Sequence, residues 1–205
     1  MNYINNKKEL SEFFNKKYFH SINYSDYIFR EEKYLKTAQN LINDFKITPS
    51  DNLLDYGCAV GFLISGFKKL NIHKIYGFDI SEWAIDESKK KNLIVTNNLN
   101  ILNDKKYKLT TVLDVFEHMF DEDVDTVLNI LNTELLVVRI PVKLKDENDF
   151  YLEVSRKDLS HVNCKTKEEW INKIEGFNFK YEHEIQNESI FDSPGVFCGY
   201  FKKII

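Results

Sequence analysis

The segment most suited to chemistry is Leu53-Leu54-Asp55-Tyr56-Gly57-Cys58-Ala59-Val60-Gly61-Phe62, an apolar run that enters a turn of small residues. Glycines there let a backbone approach a ligand closely and leave the first N–H groups of a following helix free for an acceptor. Glycine turns after strands are common, so the turn alone is a weak signal. Eighteen residues beyond Gly61 a second apolar run, Ile75-Tyr76-Gly77-Phe78, ends at Asp79. An acidic residue at that spacing and position suits the hydroxyls of a ribose. The competing reading is an N-cap for the next helix, a task for which Ser81 is also placed. A third acidic residue, Asp114, ends the run before Val115-Phe116-Glu117-His118-Met119 and should border the same crevice.

Two of the five histidines stand near this chemistry. His161 lies in a polar stretch on the expected ligand side, as a general base or acceptor contact or as a loop-fixing hydrogen-bond partner. His118 follows Glu117 directly, with either a direct role or a structural one. Imidazole is the side chain best matched to taking a proton near neutral pH. His20, His73 and His183 read as solvated. No carboxylate cluster marks a metal, and none is expected.

Taken together, these segments resemble the class I S-adenosyl-L-methionine-dependent methyltransferases of the small-molecule branch, over about residues 50–205. Asp55-Tyr56-Gly57-Cys58-Ala59-Val60-Gly61 is similar to the family's first motif, with Ala59 where many members have glycine. Gly77-Phe78-Asp79 matches the acidic second motif, and VLDVFEHM is similar to a D-x-x-E-H signature. LLVVRIPV looks like the fifth strand, and the segment from Asp158 to Phe177 resembles the stretch before the last two strands. The resemblance implies S-adenosyl-L-methionine as cofactor. Asp55, Gly57 and Cys58 would lie at its methionine end, Ala59 and Gly61 along its body, Asp79 on the ribose, and Ile80 on the adenine. Asn98 and Leu99 would stand near the adenine amine, although the family usually has an aspartate there. Asp114 would approach the amino group or the transferring methyl. Residues 25–34 look like the leader of related sugar and metabolite methyltransferases, which would bring Tyr27 and Arg30 to the cofactor carboxylate. For Arg30 a surface ion pair is the alternative.

These residues need elements to hold them, and the pattern supplies a regular alternation. It predicts strands over 52–56, 74–78, 93–96, 109–113, 135–140, 179–185 and 196–202, with helices over 62–70, 82–91, 123–131 and 166–174. Continuous apolar strands between helices indicate an α/β fold, a Rossmann-like, doubly wound, seven-stranded and mostly parallel sheet. The last two strands lack an intervening helix and should form an antiparallel edge hairpin. Residues 1–50 are expected to form an N-terminal helical cap. One or two helices would span roughly 9–46, ended by Thr48-Pro49, and the Phe/Tyr cluster at 13–29 would serve as core or as a lid. Residues 51–205 form the cofactor-binding domain, and 142–165, with its mixed charges, the acceptor loop or simply a solvated one.

Composition sets the limits. The 205 residues carry 28 basic and 32 acidic side chains, a net charge of −4. That balance disfavours a nucleic-acid partner, which would favour a basic footprint. No apolar run approaches the ~18 residues a membrane span needs. The three cysteines lack zinc or redox spacing, which suits reduced thiols and a cytoplasmic location. The absence of an Asn/Asp-Pro-Pro-aromatic motif and of a Pro-Cys pair argues against base-nitrogen and pyrimidine-carbon methylation. The expected function is therefore O-methylation of a small-molecule acceptor, a sugar or nucleotide-sugar, by in-line transfer, with a homodimer as a compatible assembly. Three alternatives stand beside it: a non-catalytic methyltransferase-like subunit, a protein or nucleic-acid acceptor, and a nicotinamide oxidoreductase. The last is weakened because the lone Tyr-x-x-x-Lys, Tyr3 to Lys7, lies outside the nucleotide fold.

Overall fold

The computed structural model describes residues 7–20, 30–185 and 194–204. Its centre is a seven-stranded sheet made of β1 (Leu53–Tyr56), β2 (Ile75–Phe78), β3 (Val95–Thr96), β4 (Tyr107–Leu113), β5 (Thr133–Pro141), β6 (Phe179–Glu184) and β7 (Val196–Lys203). The strand order is β3-β2-β1-β4-β5-β7-β6. The first five strands are parallel, β7 runs antiparallel to β5, and β6 runs antiparallel to β7 at the edge. This is the doubly wound architecture and terminal antiparallel pair that the sequence pattern predicts. The chain leaves β1 toward β2 on one side, and β4 lies on the other. The crevice beyond the carboxyl ends of β1 and β4 is therefore the topological switch point where such sheets hold ligands. In register, Asp55 sits between Gly77 of β2 and Thr111 of β4.

Every residue of β1 is buried, because both faces of the sheet are covered. One face packs Leu54, Tyr56, Phe116, Trp170 and Phe201 into a core. On the other, Leu53, Ile64, Phe67 and Leu41 pack beneath α3 (Glu31–Phe45) and α4 (Phe62–Lys69). The crossing of α3 and α4 depends on Gly66, where a Cβ would come within 2.9 Å of the Tyr34 carbonyl oxygen. The remaining helices are α5 (Glu82–Lys90), α6 (Asp121–Ile130), α7 (Glu153–Lys157) and α8 (Lys167–Glu175). Thr166 and Glu169 start α8 with a reciprocal capping box, satisfying two otherwise unpaired N–H groups.

Element bounds differ from the sequence expectation mainly at the ends. Strand β4 begins two residues earlier, at Tyr107, and α7 arises within a stretch expected to be loop. Helix α3 ends before Thr48-Pro49, because Lys46 takes a left-handed conformation and its N–H bonds the Ile42 carbonyl. N-terminal to α3, the described residues form two short helices, α1 (Lys7–Phe13) and α2 (Lys16–Phe19). Leu10, Phe14 and Phe19 of this region pack on Val60 and Ala84. The Ser11 hydroxyl donates to the Ile80 carbonyl at 2.9 Å, and Ser81 Oγ donates to the Phe14 carbonyl. The amino-terminal segment is thereby fastened across the carboxyl end of β2, over the crevice. Among the described residues no helix is long and apolar enough to cross a membrane.

Candidate active site

Beyond β1 the chain makes a turn in which Gly57, Ala59 and Gly61 all have positive φ, at 74°, 47° and 75°. Gly57 is required twice over: its φ is left-handed, and a Cβ would lie 2.3 Å from Val115 Cγ2. Ala59 bears the left-handed strain that glycine avoids, roughly 1–2 kcal/mol. A hydrogen bond helps offset it, since Ala59 N donates to Asp79 Oδ2 at 2.7 Å. The other oxygen of Asp79 accepts from Ser81 N at 2.8 Å. Ser81, not Asp79, is the N-cap of α5. Asp79 is therefore a buried hub between two loops, with acceptor capacity left over. Burial pushes its carboxyl up to about 6, against the opposing effect of the N–H donors.

Asp55 forms a second buried carboxyl beside it. Thr111 Oγ1 donates to Asp55 Oδ1 at 2.7 Å. Burial first, and the charge of Asp79 in addition, push Asp55 up to about 7, while the Thr111 bond pulls it down. Asp114, at φ 57°, pairs with Arg139, and its N–H donates to the Arg139 carbonyl at 2.7 Å.

The third part of the site lies where the 3₁₀ turn Phe116–His118 meets the loop before α8. The Glu117 carbonyl accepts from Val162 N at 2.9 Å and Asn163 N at 3.0 Å, which holds the His161 loop against the turn. The His118 and His161 rings consequently stand 4.5 Å apart, edge to face. Ser160 Oγ donates to Asp158 Oδ1 at 2.5 Å and lies 2.9 Å from His118 Nδ1. With the hydroxyl proton committed to Asp158, His118 Nδ1 is the donor to Ser160, and Nε2 carries the free lone pair. That atom lies 3.9 Å from Glu117 Oε1. Burial lowers the His118 pKa to about 3, with the neighbouring His161 adding to the effect. Burial also lowers His161, although Asp158 opposes it. Both imidazoles are neutral at pH 7. Burial raises Glu117 well above the carboxylate range.

One cavity of about 380 Å³ joins these parts, a size suited to a cofactor-sized ligand. Its walls include Arg30, Asp55, Gly57, Cys58, Ala59, Asp79, Ile80, Leu99, Asp114, His118 and His161, all expected from the sequence. Gly61 and Asn98 do not line it. Gly61 instead caps α4 and faces Leu93, and Asn98 uses its side chain to accept from Asn100 N at 3.0 Å. Tyr27 lies outside the described residues. Further lining residues include Glu117, Arg139 and Asp158, which the sequence reading did not place in the site, and Phe14 and Tyr18 from the Phe/Tyr cluster expected as core or lid. Tyr18 OH donates to Asp158 Oδ2 at 3.0 Å, so the amino-terminal segment spans the cavity. Of these, Glu117 had a sequence signal, its place in D-x-x-E-H.

The cavity fits a cationic, hydroxylated ligand with a flat apolar end. Asp55, Asp79 and Asp114 supply acceptors, and exposed Ile80 and Leu99 form an apolar pair at the wall. Arg30 brings a guanidinium, the group whose fork geometry suits a carboxylate, to the wall. S-adenosyl-L-methionine has each of these features.

Comparison with known proteins agrees. A family model described as "Methyltransferase domain" matches residues 28–184. Magnesium protoporphyrin IX methyltransferase from Synechocystis PCC 6803, solved with S-adenosyl-L-methionine bound, superposes with a TM-score of 0.66 at 15% identity, covering 98% of each chain. A SAM-dependent methyltransferase from Archaeoglobus fulgidus gives 0.61 at 17% identity, over 86% of this chain and 99% of that one. The mitomycin 7-O-methyltransferase gives 0.66 at 12% identity, over 96% of this chain and 60% of that one. At these identities the likeness is one of fold. No curated protein matches the sequence.

Proposed function

The chain belongs to the methyltransferase-domain family, with S-adenosyl-L-methionine as methyl donor, and on that premise we propose that it methylates a hydroxyl of a small-molecule acceptor. The observation that carries this reading is the single cavity running from the Asp55–Asp79 pair to the neutral His118–His161 pair. The sulfonium supplies an electrophilic methyl, and displacement at it is in line, so alignment accounts for much of the rate. Asp79 would accept from the ribose hydroxyls and Asp55 from the methionine end, with Ile80 and Leu99 against the adenine. Asp114, paired with Arg139 at the cavity wall, would approach the amino group or the transferring methyl. On this reading the acceptor hydroxyl would pass its proton to His118 Nε2, the lone pair left free by the Ser160 contact, as the methyl is transferred. Ser160 and Asp158 hold the His118 ring, and His161 stands beside it as an acceptor contact.

The cavity wall also narrows the acceptor. Among the described lining residues the permanent cations are Arg30 and Arg139, and Arg139 is committed to Asp114. Tyr18, Phe14, Leu152 and Val154 line the same cavity. A neutral hydroxylated ring, such as a sugar, suits this wall better than a nucleotide-sugar diphosphate. In this reading residues 1–50 act as the cap and 51–205 as the catalytic unit. Cys58, Cys164 and Cys198, none of them in a disulfide, suit a reducing cytoplasm.

The experiment is calorimetric titration with S-adenosyl-L-methionine and its demethylated product. Asp79→Ala should weaken both by about 10–100-fold, the equivalent of one or two charged hydrogen bonds. A folded protein that binds neither ligand would remove the enzymatic reading and favour a scaffold.

A further inference from the structure

Glu117 carries an unpartnered carboxyl in the site, and His161 Nδ1 beside it is likewise buried without a hydrogen-bond partner. Glu117 is 1% exposed, and neither carboxylate oxygen has a hydrogen-bond partner. Protonating it does not help, because the free acceptor beside it, His118 Nε2, is 3.9 Å away, beyond hydrogen-bond reach. A buried carboxyl without a partner is costly in either form. What does surround it is a set of lone pairs. One ligand atom each from Glu117, His118 and His161 lie within 4.8 Å of one another, and all three residues line the cavity.

We propose that Glu117, His118 and His161 form a site for a first-row divalent cation, of the zinc or cobalt type, at the acceptor end of the cavity. Donors no more than 4.8 Å apart leave a central ion at most roughly 2.8 Å from each. Side-chain adjustments of no more than about 0.8 Å then reach the ~2.0–2.2 Å of nitrogen and oxygen ligands to zinc. Two imidazoles select such ions over magnesium or calcium, which prefer oxygen. Three protein ligands with the remaining positions open to a cavity is the pattern of a site that accepts an exogenous oxygen. The outer contacts are also in place. Ser160 fixes the His118 tautomer so that Nε2 faces Glu117, Asp158 anchors Ser160, and the Glu117 backbone carbonyl holds the His161 loop. With a cation bound the His118 Nε2 lone pair is a ligand, so lowering the pKa of an acceptor oxygen at the open position would replace proton transfer to that nitrogen; this role rests on the methyltransferase reading, whereas cation binding itself does not.

The test is titration of the chelator-treated full chain with Co²⁺, read by its visible d–d absorption, with displacement by Zn²⁺. A single site should appear, weakened at least 100-fold in Glu117→Gln. Ser160→Ala keeps all three ligands and should lose about 10–100-fold, the usual effect of removing an outer partner. Far-UV circular dichroism of each metal-free variant checks folding. A folded wild-type chain that binds S-adenosyl-L-methionine but gives no Co²⁺ spectrum overturns the cation site and leaves the methyltransferase reading intact. Equal Co²⁺ affinity in wild type, Glu117→Gln and Ser160→Ala overturns it as well. A Co²⁺ spectrum without S-adenosyl-L-methionine binding supports the site while removing its assigned role.

Discussion

Asp55→Asn should make the protein more stable and less competent. Asp55 is buried at the end of β1, and its carboxyl is raised from 3.8 to about 7, principally by burial. The folded state therefore holds the proton longer than the unfolded chain does. Stability is fully present below pH 3.8 and is lost as pH rises through about 7. At roughly 1.4 kcal/mol per pH unit, the gap between those values amounts to about 4 kcal/mol at pH 8. Asparagine has the same shape and can still accept from Thr111 Oγ1 through its carbonyl, but carries no charge to desolvate. The variant should gain about 4 kcal/mol at pH 8, some 10 °C in Tm for a chain of this size. That advantage should shrink to about half a kcal/mol at pH 4. Calorimetric binding should meanwhile show weaker affinity for S-adenosyl-L-methionine, because the carboxylate proposed to meet its methionine end is gone. The assay is urea unfolding of both proteins at pH 4 and pH 8. A variant no more stable than wild type at pH 8, or equally advantaged at both pH values, would refute the claim that desolvation of Asp55 opposes folding.

Two further outcomes follow from the same geometry. Gly57→Ala should cost about 1–2 kcal/mol for the left-handed backbone and another 1–3 for the contact with Val115, measured by urea unfolding. Adding Val115→Ala should remove the second cost and leave the first. His118→Gln should lower kcat by about 10²–10⁴ while changing cofactor affinity little, as single-turnover and equilibrium measurements would show. A large loss of affinity instead would place His118 in cofactor binding.

Legibility in the sequence followed the range of the interaction. The β1 turn was legible because its demands are local: a small residue at Gly57 and an acidic residue after the next strand reflect backbone geometry within one β-α-β unit. The parallel sheet was legible for a similar reason, since strands buried on both faces read as unbroken apolar runs such as Leu135–Ile140. The terminal strands were legible as an antiparallel pair from their missing helix, but the insertion of β7 between β5 and β6 was not, because edge order is decided by packing rather than by period. Asn98 shows how a local use can compete with a distant one. Its place after β3 suggested an adenine contact, yet a side-chain amide two residues before a free N–H is consumed locally as a cap.

The acceptor end depends on separations of more than forty residues, and there residue identity carries less than pairing. His118 and His161 each had two readings from sequence, and neither could be resolved alone. Their meeting is produced by Glu117, whose carbonyl accepts from Val162 and Asn163 and so brings the second histidine to the first. The same residue then presents its carboxyl to the space those rings enclose. A side chain whose backbone assembles a site and whose own polar atoms find no partner in it is best explained by something the protein takes up. The stability that an isosteric amide at Glu117 would recover, by analogy with Asp55, is the measure of what that uptake must supply. If the unpartnered carboxyl is kept for a cation, Glu117→Gln should unfold later than the metal-free wild type and no later than the cobalt-loaded one.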